Sequence, residues 1–144
     1  MRGGTIKMSK IAKEQITRAA GADYQPTEEA EQAAVFEWAQ LMQPQFPELA
    51  DLFHVPNGGY RPIMTAAKLK AQGVKPGVPD LCLPVARGGY HGLWIEMKRR
   101  RSGKVSPHQQ DWLTELRFQG YRAEVAHGSE EACGIIYSYL TEEQ

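Results

Sequence analysis

Residues 77–101 read GVPDLCLPVARGGYHGLWIEMKRRR, and the two apolar runs inside them decide how the chain folds. DLCLPV and GLWIEMK are strand-length and rich in aliphatic and aromatic side chains, and the glycine-rich ARGGYHG between them has the length of a hairpin connection. Alternate residues of a strand face opposite ways, so Leu93, Ile95 and Met97 go to the core while Trp94, Glu96 and Lys98 share the other face. Glu96 and Lys98 then project together, roughly 7 Å apart at about 3.4 Å per residue. Asp80 opens the partner strand after Gly77-Val78-Pro79, where Pro79 has no N–H for the ladder and the chain can bend. A register that sets Asp80 beside Glu96 brings two carboxylates and an ammonium to one point.

Outward from the hairpin, the pattern alternates between helix and strand. Thr27 is placed to cap a helix over EEAEQAAVFEWAQLM, whose early acids suit the positive end of the helix dipole. Gln32, Val35, Ala39 and Met42 fall on one face of it, with Glu28 one turn before Gln32. A short strand is expected near DLFHVP, then a turn at NGGYRP and a short helix over TAAKLKAQG ending at Gly73. Ser106 and Pro107 open a helix over HQQDWLTELRFQ that Gly120 stops. YRAEVA alternates like a half-buried strand, and Ser129 is placed to cap a last helix, EEACGIIYSYL. The order predicts an α/β fold, a central mixed sheet with helices on its faces.

The chain of 144 residues suits one domain with a core of its own, and its apolar fraction of 42% argues against disorder. Residues 1–25 read as a basic N-terminal extension and 26–144 as the domain. Net charge is zero, but residues 56–104 hold ten basic residues against only Asp80 and Glu96, a local charge of +8. Such a concentration suits a phosphate backbone; a solvated charged face is the alternative reading. Cys82 and Cys133 form no CxxC pair and have apolar neighbours, which predicts reduced thiols in a cytoplasmic protein, with neither a disulfide framework nor a zinc site. No run of about 18 apolar residues is present, so no membrane helix is expected. His54, His91, His108 and His127 lack metal-ligand spacing.

Two adjacent carboxylates repel, and a shared proton or a divalent cation relieves them. Oxygen ligands without His or Cys favour Mg²⁺ or Mn²⁺ over zinc. Such an ion keeps waters, polarises a phosphoryl oxygen and lowers the pKa of a bound water, while nearby arginines hold the DNA backbone. Each fragment alone has a plainer explanation, since a strand-end Asp is often a cap and Glu-x-Lys an ordinary charged edge. The combination of Pro-Asp, a hairpin-length gap and Glu-x-Lys is more specific.

With Pro79-Asp80 and Glu96-Met97-Lys98, the chain resembles the PD-(D/E)xK nuclease superfamily with its restriction-endonuclease-like core. More narrowly it resembles the virus-type replication-repair nuclease domain, VRR-NUC, through NGGYR at 57–61, AAKLKAQGVKPGVPDL at 66–81, WIEMKRRRSGKVSPHQQDWL at 94–113 and GYRAEVAHG at 120–128. The resemblance implies that Asp80 and Glu96 bind Mg²⁺ or Mn²⁺, that the Met97 carbonyl adds a ligand, and that Lys98 acts on the attacking water. Gln109 stands where the family often carries a Gln after Ser-Pro-x. Its place on a helix face with Trp112, Leu113 and Leu116 points it inward, toward either the metal site or a buried backbone group. The family also tends to place a Glu or Gln of its first helix near the metal, for which Gln32 is the better match and Glu28 the second. DNA contacts are expected from Asn57, Arg61, Lys68, Lys75, Arg99, Arg100, Arg101 and Lys104, and Tyr60 and Tyr90 sit on glycine-rich loops where they could stack on bases.

The expectation is a metal-dependent DNA endonuclease that selects branched, flapped or junction DNA rather than a sequence. A homodimer would suit cutting both strands. The alternatives on the same fold are a DNA-binding protein that does not cleave and a sequence-specific restriction-type nuclease.

Overall fold

The computed structural model describes residues 24–56 and 63–142. Helix α1 spans Glu28–Met42, and the Thr27 hydroxyl accepts from the Ala30 amide at 3.1 Å, satisfying one of the donors that a helix start leaves free. A 3-10 helix follows at Pro47–Asp51, then strand β1, Phe53–His54, and helix α2, Ile63–Ala71. β2 is Leu81–Leu83 and β3 is Leu93–Lys98, and they pair antiparallel with Leu81 opposite Ile95 and Leu83 opposite Leu93. Helix α3, Pro107–Phe118, crosses over from β3 to β4, Arg122–His127, which lies parallel to β3. Helix α4, Ser129–Thr141, closes the chain. The sheet order β1-β2-β3-β4 combines antiparallel pairs with one parallel pair, because a helical crossover returns the chain in the same direction whereas a tight loop reverses it. The expected α/β fold with a mixed sheet and flanking helices is the one observed.

Two apolar clusters cover the two faces of this sheet. On one, Leu81, Leu83, Leu93, Ile95 and Met97 pack against Val35, Trp38, Ala39 of α1 and Ala132, Ile136, Tyr139 of α4. On the other, Leu113 and Leu116 of α3 pack over Ala123, with Trp94, Trp112 and Val125 around them. β3 is therefore enclosed on both sides, and Glu96 and Lys98 are buried although they lie on its polar face, at 2% and 7% exposure. α2 is different: Thr65 to Lys68, Lys70 and Ala71 are exposed, and Leu69 is half-buried.

Two expectations need correcting. The buried stripe of α1 runs Glu31, Val35, Trp38, Ala39, so it begins at Glu31 and leaves Gln32 half-buried beside it. The cap of α4 is Gly128, not Ser129; the Ser129 amide, already inside the helix, donates to the Glu31 carboxylate at 2.6 Å. A carboxylate from a distant helix thus supplies what a capping hydroxyl would have supplied.

Candidate active site

Asp80 and Lys98 lie at the end of the sheet where β2 begins and β3 finishes; the hairpin tip, 84–92, is at the other end. Continuing the observed register one step outward from Leu81 and Ile95 sets Asp80 across from Glu96. Asp80 is held at three points: its Oδ2 accepts from the Met97 amide at 2.7 Å, and its carbonyl accepts from the Val55 amide at 2.8 Å and lies 2.9 Å from His54 Nδ1. The turn leading into it is pinned as well. Gly77 has φ of +84°, and a Cβ there would meet the backbone of His108 at 2.6 Å and of Gln109 at 2.8 Å, so only glycine fits. The Trp112 indole N–H donates to the Pro76 carbonyl at 3.1 Å. The first turn of α3 and the approach to Asp80 are therefore fixed to each other.

Gln109, on that same first turn, shows how a local rule sets a long-range contact. Ser106 and Gln109 form a capping box: the Ser106 amide donates to Gln109 Oε1 at 2.8 Å, and the Gln109 amide donates to the Ser106 hydroxyl at 3.3 Å. With Oε1 engaged, only the Nε2 end of the amide remains to face the sheet, and it donates to Glu96 Oε1 at 2.6 Å. Gln109 therefore presents a donor, which can orient a carboxylate but cannot ligate a cation. The inward direction expected for it is observed, and both kinds of expected partner are present, the Glu96 carboxylate at Nε2 and the Ser106 backbone amide at Oε1.

Glu96 is the centre of the group. Its Oε1 takes the Gln109 donor and lies 3.5 Å from Lys98 Nζ. Its Oε2 is buried with no hydrogen-bond partner among the described residues. Burial, with the Asp80 carboxylate adding to it and Lys98 opposing, pushes the Glu96 carboxyl up to about 8. Asp80 is also raised, first by burial and then by the Glu28 carboxylate, against the opposing pull of the Met97 amide and of a hydrogen bond that a proton held between it and Glu96 would make. Such a pair is eased by a bound proton or by a hard cation. Asp80 and Glu96 supply oxygens only, and the described residues hold no cluster of three or more His, Cys, Asp or Glu side chains for a metal. That set fits an ion such as Mg²⁺ or Mn²⁺, which needs few protein ligands and fills its remaining positions with waters and substrate oxygens. The unpartnered Oε2 is the atom that such an ion would satisfy.

The remaining expected residues divide. Glu28 is exposed, yet its charge is felt at Asp80, so it lies near the pair; Gln32 makes no hydrogen bond to either carboxylate. The Met97 amide donates to Asp80. Lys68, Lys75, Arg99, Arg101 and Lys104 are exposed. Arg100 is partly exposed but engaged, its Nε 2.5 Å from Glu31 Oε1 and its Nη2 3.4 Å from Oε2. Asn57, Tyr60 and Arg61 lie outside the described residues, as do residues 1–23 of the expected extension. Tyr90 lies at the hairpin tip, away from the carboxylates. The sequence reading missed Glu31, although an acid at the head of an apolar stripe is its signal. It also missed the Ser106–Gln109 box, although Ser-x-x-Gln before a helix announces one.

The VRR-NUC domain family model matches residues 12–130. A solved structure described as a VRR_NUC domain protein is 34% identical to this chain, with a TM-score of 0.71, over 83% of this chain and 92% of that one. No curated protein matches.

Proposed function

Because the chain belongs to the VRR-NUC domain family, which gives it a nuclease-type role in DNA processing, we propose that it is a Mg²⁺- or Mn²⁺-dependent DNA endonuclease. The observation that carries the metal-dependent reading is the buried, unpartnered Glu96 Oε2 beside the Asp80 carboxyl, with the Lys98 ammonium at the other oxygen. When bound between the carboxylates, the cation would supply Lewis-acid polarisation of the scissile phosphate and acidify water.

The protein's own part is positioning and charge. Gln109 and Lys98 hold Glu96 by Oε1 and leave Oε2 free, while the Met97 amide holds Asp80 by Oδ2. Lys98 Nζ donates to the attacking water and to a non-bridging phosphoryl oxygen, where negative charge grows in the transition state. Arg99, Arg101 and Lys104, exposed just after β3, would bind flanking phosphates. We favour branched or flapped DNA as substrate because the basic residues next to the site suit backbone contacts, which carry no base sequence. A two-fold dimer would place two such sites on opposite strands.

Cleavage of duplex, single-stranded, flapped and four-way DNA with Mg²⁺, Mn²⁺ or EDTA tests this. Cutting should need the metal, favour the branched members, and vanish in Asp80→Ala and Lys98→Ala, with DNA binding largely kept. Undiminished cutting in EDTA would discard the metal-dependent reading, and site-specific cutting of plain duplex would discard the structural selectivity.

A further inference from the structure

The run Arg99-Arg100-Arg101 has the look of three equivalent phosphate contacts, but the structure divides it. All three are exposed, but Arg100, with 37% of its side chain open to solvent, turns back onto Glu31, which is only 2% exposed. Glu31 Oε1 takes Arg100 Nε at 2.5 Å, and its Oε2 lies 3.4 Å from Arg100 Nη2 and accepts the Ser129 amide at 2.6 Å. One carboxylate thereby joins α1, the segment leaving β3 and the first turn of α4. Burial alone would raise the Glu31 carboxyl; the Arg100 and Ser129 donors outweigh it and hold it below its usual range, so the pair is charged. The same segment is tied elsewhere. The Lys98 carbonyl accepts from the Gly128 amide at 3.0 Å, and the Arg99 carbonyl lies 3.1 Å from His127 Nδ1. Gly103 closes the segment against Lys98, whose Cβ would lie 2.7 Å from any Cβ placed there.

We propose that Glu31 and Arg100 are a positioning pair that fixes the segment after β3, so that Arg99 and Arg101, and not Arg100, bind the DNA backbone. This deepens the nuclease reading and rests on it. A fixed segment presents both guanidiniums before DNA arrives, so less ordering is needed on binding. Arg100 gives direction to its neighbours through its contact with the buried Glu31 carboxylate.

Arg100 could instead be a third phosphate contact that Glu31 restrains, and the two accounts predict opposite signs. Glu31→Gln makes the protein more positive by one charge. If Glu31 merely restrained a DNA contact, freeing Arg100 would tighten binding and steepen its salt dependence. As a positioning residue, Glu31→Gln should instead raise KM on the order of fivefold, with kcat and the salt slope near wild type. Arg100→Gln should do the same. Arg99→Gln and Arg101→Gln should each raise KM and flatten the slope of log KM against log salt by about one.

The assay uses the full chain and the best-cut DNA of the panel above, with melting temperature recorded for each variant. Glu31→Gln and Arg100→Gln should each lower the melting temperature, and the double variant should melt no lower than the worse single one. Arg100→Lys, which keeps the charge but loses the fork, should recover only part of the loss. Tighter DNA binding by Glu31→Gln, a flatter salt slope in Arg100→Gln, or additive melting losses would each overturn the proposal while leaving the nuclease reading intact. A wild type that neither binds nor cuts any member of the panel would sink both.

Discussion

Replacing Glu96 by Gln should stabilise the metal-free protein while abolishing cleavage. In the folded protein burial and Asp80 push the Glu96 carboxyl up to about 8, from an ordinary 4.5. At pH 7 the folded state therefore keeps the proton that the unfolded state has released. The span from 4.5 to 7, at about 1.4 kcal/mol per pH unit, amounts to about 3 kcal/mol against folding. The sign follows from the raised value: the stability is fully present below pH 4.5, is lost as pH rises toward 8, and does not return above it. Glutamine has no proton to lose and keeps an oxygen for the Gln109 donor. The 3 kcal/mol is a ceiling, because glutamine sets an NH₂ group where the carboxyl had its buried Oε2. Melting in EDTA across pH 5 to 8 should show the Glu96→Gln variant ahead by roughly 5–10 °C at pH 7–8, with the gap nearly closed at pH 5. Mg²⁺ should raise the wild type alone. A variant that melts at or below the wild type at pH 8, or a gap that does not change with pH, would refute the reasoning.

Two further substitutions separate orientation from stability. Gln109→Ala removes the donor that fixes Glu96, so kcat should fall about 10- to 100-fold with DNA affinity little changed, in single-turnover kinetics. Ser106→Ala removes the capping hydroxyl but keeps the backbone amide that orients the Gln109 side chain, so denaturant unfolding should show a loss of about 1 kcal/mol while kcat drops at most a few-fold.

Much of the framework was legible because its signals are local. Thr27 before an acidic first turn marks the start of α1, Ser106-Pro107 marks α3, and the glycine-rich ARGGYHG marks the hairpin that sets Asp80 across from Glu96. What escaped depends on residues far apart in sequence. The Arg100–Glu31 pair joins positions 69 apart, and nothing in RRR says which guanidinium turns inward. The cap of α4 was misplaced for the same reason, since the carboxylate that takes the Ser129 amide lies 98 residues upstream. In α1 two apolar stripes overlap at Val35 and Ala39, and only packing against the sheet and α4 selects the one headed by Glu31. Burial of both faces of β3 was equally hidden, because Glu96 and Lys98 look like a solvated edge until α3 covers them.

The connection between β2 and β3 runs out at the end of the sheet opposite Asp80 and Lys98. Its base is anchored, by the Tyr139 hydroxyl donating to the Val85 carbonyl and by Arg87 bonded to Glu48 at 2.6 Å. Its crest at Gly89 is exposed, with nothing within 4 Å of where a Cβ would stand. Extra chain spliced in at that crest would therefore add length beyond the anchors without bending either carboxylate-bearing strand. The architecture thus offers a graft point, where a reporter or a second recognition module could ride on the nuclease without retuning its chemistry.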